Sequence, residues 1–150
     1  MENYNLASRF NSGLEEIYYV RGTLYVRNER YDEAFEDFEY AIFLNPEYAD
    51  VYYNRGVLYA ELNLIENARN DFGKAIKYNP AFTIAYFNRA IIHFGMDNYE
   101  PAIEDLNSVI RLNANFAVAY QLRGQIFERM GKIDQSEIDF EKAKELGYEK

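Results

Sequence analysis

Residues 52–80 read YYNRGVLYAELNLIENARNDFGKAIKYNP, and this stretch spells out two helices and the turns that end them. Tyr52, Gly56 and Tyr59 fall at i, i+4 and i+7, on one face of a helix. Ala68, Phe72 and Ala75 repeat that spacing in a second helix. Gly56 and Ala68 are small where two backbones must approach closely, and the aromatic rings fill the space beside them. Asn79-Pro80 ends the second helix. The residue before a proline is pushed out of the helical region, and the proline then suits the start of the next helix.

Working outward, the same columns recur every 34 residues. Val20-Arg21-Gly22, Asn54-Arg55-Gly56, Asn88-Arg89-Ala90 and Leu122-Arg123-Gly124 are in phase. So are the aromatic column Tyr18, Tyr52, Tyr86, Tyr120, the small column Ala34, Ala68, Ala102, Ser136, and the bulky column Phe38, Phe72, Leu106, Phe140. A turn column runs Asn45-Pro46, Asn79-Pro80, Asn113-Ala114 and Gly147-Tyr148. Internal repeats of this length indicate stacked supersecondary units. Four units follow, 15–48, 49–82, 83–116 and 117–150. The spacing predicts helices over 15–28, 32–44, 49–62, 66–78, 83–96, 100–112, 117–130 and 134–146, with no β-strand.

Over residues 15–150 the pattern resembles the tetratricopeptide repeat. Tyr18, Gly22, Tyr25, Ala34, Phe38, Ala41 and Pro46 match the family signature, as do Tyr52, Gly56, Tyr59, Ala68, Phe72, Ala75 and Pro80. The third unit departs at Ala90, His93, Leu106, Val109 and Ala114, and the fourth at Ser136 and Tyr148. Arginine stands before the glycine position in all four units, where the family usually has leucine. The expected fold class is all-α, an α-solenoid of four helix-turn-helix repeats with a short N-terminal helix. The resemblance implies a right-handed superhelix whose first helices line a concave groove.

Terminal repeats should be atypical, because one face lacks a neighbour. Ile42, Ile76 and Ile110 are followed in phase by Lys144, which reads as a solvent-facing end. Tyr4, Ala7, Phe10 and Asn11 are in phase with Phe38, Ala41, Leu44 and Asn45. Residues 1–14 are therefore expected to form a capping helix near 2–10, packed on the first helix; an eroded fifth repeat is the other reading.

Composition narrows the function classes. The 150 residues are 49% hydrophobic and 27% charged, enough for a core and a solvated surface. No apolar run approaches a membrane span and no secretory leader opens the chain, so a cytoplasmic protein without membrane insertion is expected. The absence of cysteine excludes disulfides and thiolate metal sites. A formal net charge of −9 with no local basic patch argues against nucleic acid. The single histidine, His93, shares a column with Tyr25, Tyr59 and Phe127 and reads as a packing substitution. With no glycine-rich phosphate loop or paired catalytic groups, neither enzymatic activity nor a cofactor or metal is expected.

Binding is the expected chemistry. Helix geometry combined with the architecture that the resemblance implies puts Glu16, Tyr19, Thr23 and Val26 of the first unit on the groove floor. Asp50, Tyr53, Asn54, Val57 and Ala60 follow from the second, Ile84, Phe87, Asn88, Ile91 and Phe94 from the third, and Val118, Gln121, Gln125 and Glu128 from the fourth. Tyr19, Tyr53 and Phe87 would form an aromatic ladder with acids at its N-terminal rim. Rings of this kind offer large contact area with few rotamers to freeze; packing against a neighbouring repeat is the competing reading. The expected partner is a peptide or helical segment of another protein, apolar with basic character, with self-association or substrate recruitment for a separate enzyme as alternatives. Chaperone-binding members grip a C-terminal carboxylate with lysines, an arginine and asparagines. Here Asn54 matches, but the other places hold Tyr19, Thr23, Ile84 and Asn88, which supply no cation and argue against that ligand.

The column Asp37, Asp71, Asp105, Asp139 recurs as faithfully as Arg21, Arg55, Arg89, Arg123. A partly buried guanidinium needs an anion, and a carboxylate fits its fork. The two columns are expected to pair, within a repeat or with its neighbour; arginines pointing into the groove are the alternative.

Overall fold

The computed structural model describes residues 13–148. Among them are eight α-helices and no strand: α1 (Leu14–Arg27), α2 (Tyr31–Leu44), α3 (Ala49–Glu61), α4 (Ile65–Tyr78), α5 (Thr83–Gly95), α6 (Tyr99–Leu112), α7 (Ala117–Arg129) and α8 (Ile133–Glu145). Consecutive pairs form the four hairpins of an all-α helical-repeat fold. The capping helix expected over 2–10 lies outside the described residues. The chain divides into two compact units at Tyr78 and Asn79. In the first, α1 packs on α2, α2 on α3, and α3 on α4; in the second, α5–α6, α6–α7 and α7–α8 pack likewise.

One turn builds every hairpin. Glu29, Asn63, Asp97 and Gly131 take left-handed φ values of 58°, 58°, 56° and 72°. The next amide reaches back five residues, from Arg30 to the Tyr25 carbonyl at 3.0 Å, and equivalently from Leu64 to Tyr59, Asn98 to His93 and Lys132 to Phe127. This Schellman closure satisfies carbonyls that a helix end leaves unpaired. The return turn uses asparagine. Asn45, Asn79 and Asn113 each accept on Oδ1 the amide of the residue two positions on, at 3.1 Å. That bond explains how Asn113-Ala114 keeps the turn without proline.

Each unit has its own core. Ala34, Phe38, Ala41, Val51 and Leu58 are buried together in the first, and Ala90, Ala102, Leu106, Val109, Ala119, Leu122 and Ile126 in the second. The glycine column is a steric fit. A Cβ on Gly22, Gly56 or Gly124 would lie 2.8, 2.9 or 2.6 Å from Cε1 of Phe38, Phe72 or Phe140. In the third repeat Ala90 replaces the glycine and the smaller Leu106 replaces the facing phenylalanine. Ser136, the departure in the alanine column, is buried and donates its hydroxyl to the Ile133 carbonyl at 2.8 Å.

Candidate protein-interaction surface

The arginine and aspartate columns pair in every repeat. Arg21 Nε and Nη2 donate to Asp37 Oδ2 and Oδ1, both at 2.7 Å. Arg55 holds Asp71 at 2.7 and 3.1 Å, Arg89 holds Asp105 at 2.8 and 2.6 Å, and Arg123 holds Asp139 at 2.7 Å twice. Each fork ties the two helices of one hairpin. Arg123 additionally donates from Nη1 to Asn107 Oδ1 of the preceding repeat at 2.5 Å. The aspartates are all buried, whereas the arginine side chains range from 12% exposed at Arg55 to 52% at Arg21. Hydrogen bonding to Asp37, and then its charge, hold the Arg21 pKa above the ordinary arginine value. For Arg55 burial opposes the charge, but the hydrogen bond and charge of Asp71 outweigh it and the net shift is upward. Arginines committed in this way brace the hairpins.

With those groups accounted for, the surface of the first unit takes its character from Tyr19, Asp50, Tyr53, Asn54 and Val57. Tyr19, Tyr53, Asn54 and Val57 are half-buried and Asp50 is exposed. Asn54 Nδ2 donates to the Tyr19 hydroxyl at 3.1 Å and to the Asp50 carbonyl at 2.9 Å. This joins α1 to α3 through a polar contact beside the rings. The Tyr19 ring lies 5.3 Å from that of Tyr48, and Tyr53 lies 5.8 Å from Phe72. Burial, and next the Asp50 charge, push the Tyr19 hydroxyl pKa upward. Burial raises that of Tyr48 too, followed by Asp50 and Glu16. Both phenols stay neutral at ordinary pH, in a local field that favours a cation.

In the second unit Ile84, Phe87, Asn88 and Gln125 are half-buried and Ile91 is 45% exposed. The Phe87 ring lies 5.1 Å from Phe116. Tyr19, Tyr53 and Phe87 thus each pack on a ring of their own unit while keeping part of their surface in solvent. Gln121 is the correction. Expected on the groove floor in the column of Tyr19, Tyr53 and Phe87, it is only 6% exposed. A glutamine is shorter than the rings it replaces, so its end stands less far from the helix axis and stays among its neighbours. Tyr48 and Phe116, which back the rungs, were not among the expected residues; their signal was an aromatic repeated in phase at Tyr48, Phe82 and Phe116. Among the described residues no group of three or more His, Cys, Asp or Glu could hold a metal ion. Nor is any helix among them long and apolar enough to cross a membrane.

Braced helical hairpins of constant length define a class, the helical-repeat proteins. Tetratricopeptide repeat models match residues 19–82, and again 84–116 and 117–146. The chain belongs to the tetratricopeptide repeat family. Among solved structures it is similar to MamA, with a TM-score of 0.83 at 24% identity over 95% of this chain and 84% of that one. YrrB, described as a TPR protein with an unusual peptide-binding site, gives 0.77 at 23% identity over 96% and 74%. The first TPR of Spaghetti (RPAP3), bound to the HSP90 peptide SRMEEVD, gives 0.74 at 24% over 80% and 95%. At these identities the likeness is one of fold. A search of curated proteins finds no significant match.

Proposed function

We propose that this protein is an interaction scaffold that holds a peptide or helical segment of a partner against the faces of its first helices. The observation that carries the reading is the recurrence, in each unit, of a half-buried ring followed by an asparagine: Tyr53-Asn54 and Phe87-Asn88. Rings that keep part of their surface in solvent present rigid apolar area, and Asn54, whose Nδ2 already donates to Tyr19 and Asp50, has its side-chain oxygen as an acceptor for a peptide N–H. Two structural neighbours, YrrB and the RPAP3 repeat, are peptide binders, which supports the class of ligand. The RPAP3 ligand carries acidic residues, whereas here the remaining places of such a clamp hold Tyr19, Thr23, Ile84 and Asn88, none of them a cation. With Asp50 beside Tyr19, and Asp50 and Glu16 near Tyr48, the ligand expected is apolar with a basic residue.

The test is selection of ligands from a displayed peptide library, followed by titration of the best sequence against wild type and Tyr53→Ala, Phe87→Ala. The double variant should bind about 30-fold more weakly, the size of a hot-spot loss. Equal affinity would remove these rings from the site. A second reading is an array extended by another copy, favoured by one observation. Ile17 and Leu24 on α1 are 59% and 49% exposed, whereas Val51 and Leu58, in the same register on α3, are fully buried. Light scattering over a range of concentrations separates the two, since only the second predicts a rising mass that Ile17→Lys, Leu24→Lys abolishes.

A further inference from the structure

On α2, Tyr40 and Phe43 are 53% and 77% exposed, yet their rings lie 6.1 Å apart and Tyr40 lies 4.7 Å from Tyr18. Exposed rings in mutual contact form a continuous patch, and contiguous apolar patches mark interaction sites more often than scattered side chains do. Glu36 and Glu39, both exposed, line the same shallow depression as Tyr40 and Phe43.

The next repeat contains the counterpart. Thirty-four residues on, Lys74 and Lys77 replace Tyr40 and Phe43. Lys74 Nζ lies 5.2 Å from the centre of the Tyr52 ring, the counterpart of Tyr18, and Lys77 Nζ lies 5.1 Å from that of Tyr78. There the chain supplies its own ammonium groups to its aromatic faces. In the first repeat both lysines are absent and two more rings stand in their place, flanked by carboxylates. Arg21 reaches within 5.2 Å of the Tyr18 centre, but its guanidinium is already held by Asp37. The third and fourth repeats carry Ser108 with Arg111 and Lys142 with Glu145, so the paired aromatics belong to the first repeat alone.

We propose that Tyr40, Phe43, Glu36 and Glu39 form a second binding site, which takes a lysine- or arginine-bearing segment of a partner protein. The site lies on a second helix and does not depend on the first-helix surface proposed above. Ring faces attract a cation within about 6 Å of their centres, the carboxylates complement its charge, and the exposed ring area covers its alkyl stem. A second copy of this chain is the poorer occupant. At a net charge of −9, two such acidic patches face to face repel.

The test compares wild type with Tyr40→Ser, Phe43→Ser, which leaves the charge unchanged. Serine already stands at the Tyr40 position in the third repeat as Ser108, so the fold should persist, as a circular-dichroism melt will check. The probe is a fluorescent alternating arginine–leucine peptide, with the glutamine–leucine peptide as control, read by anisotropy at about 150 mM salt, where long-range attraction is screened. Wild type should bind the arginine peptide at least tenfold more tightly than the control. Because such a peptide could also seat on the first-helix surface, the comparison is repeated with Tyr53→Ala, Phe87→Ala in both proteins; in either background the serine change should cost about tenfold in affinity. Equal binding with and without the serine change in the Tyr53→Ala, Phe87→Ala background would mean that these rings do not hold the peptide, and the proposal falls. It falls equally if wild type does not bind, or if wild-type mass rises with concentration and the serine variant stays monomeric, which would assign the patch to a second copy.

Discussion

At the scale of single residues, the four Arg–Asp forks repeat one geometry in different surroundings, and their worth should follow burial. Arg55 and Asp71 have side chains 12% and 4% exposed. Asp71→Asn leaves a buried guanidinium without its anion, a loss of about 3–5 kcal/mol. Asp37→Asn should cost clearly less, because Arg21 is half in water. Urea unfolding of both variants checks this ordering, and equal losses would contradict it. The glycine column makes a second prediction. Alanine in place of Gly56 gains helix propensity of about 1 kcal/mol, but its Cβ would stand 2.9 Å from Phe72 Cε1. Since Phe72 is 1% exposed, its ring has no solvent to move into. Gly56→Ala should therefore destabilise by about 1–3 kcal/mol. Adding Phe72→Leu recreates the Ala90–Leu106 pairing of the third repeat. A double-mutant cycle should then show a favourable coupling of about 1 kcal/mol; strict additivity would mean the two columns do not answer each other.

At the scale of elements, the turns are built alike but from residues of unequal fitness. Gly131 adopts φ 72° freely, whereas Glu29 at φ 58° carries the strain of a side chain in the left-handed region. Glu29→Gly should raise stability by up to about 1 kcal/mol, and Gly131→Glu should lower it by a similar amount; thermal melts of the two variants would show shifts of opposite sign. In the return turns Asn45 and Asn79 are helped by the following proline, and Asn113 is not. Asn113→Ala, which removes the acceptor for the Asn115 amide, should thus cost about 1 kcal/mol and more than Asn45→Ala. The helix ends were legible in the sequence to within a residue, because Asn-Pro steps and regular spacing are local signals. The left-handed column was not read, although Asn63, Asp97 and Gly131 are of the types that favour that region, because Glu29 breaks the pattern and only the backbone shows that it joins them.

At the scale of the whole molecule, net charge sets how partners arrive. A chain of −9 draws basic segments in from a distance, so association with an arginine-bearing peptide should slow steeply as salt rises from about 50 to 500 mM. Dissociation should change far less, since it breaks the short-range ring contacts. Stopped-flow traces across that range would measure both rates, and a salt-insensitive association would rule out steering. Of the candidate surface, Tyr19, Asp50, Tyr53, Asn54, Val57, Ile84, Phe87, Asn88, Ile91 and Gln125 all keep some exposure, the first requirement of a binding surface. Gln121 does not, because burial depends on how far a side chain reaches beyond its neighbours and not on its column alone.

By itself the sequence determined the eight helices of the described residues and their lengths, the small-against-large packing of each hairpin and the need for an anion beside each arginine. All of these are set by periodicity and by residue size and charge, which act over a turn of helix or repeat identically. Tertiary structure alone decided which aspartate each arginine holds. Asp37 and Asp71 lie at similar distances along the chain from Arg55, and the packing of α3 on α4 brings Asp71 within reach. It also decided that the rings of Tyr19 and Phe87 are backed by Tyr48 and Phe116, and that Tyr40 and Phe43 meet Tyr18 in an exposed patch. Such contacts join side chains from different helices, and their distances follow from helix packing angles that no spacing along a single helix encodes.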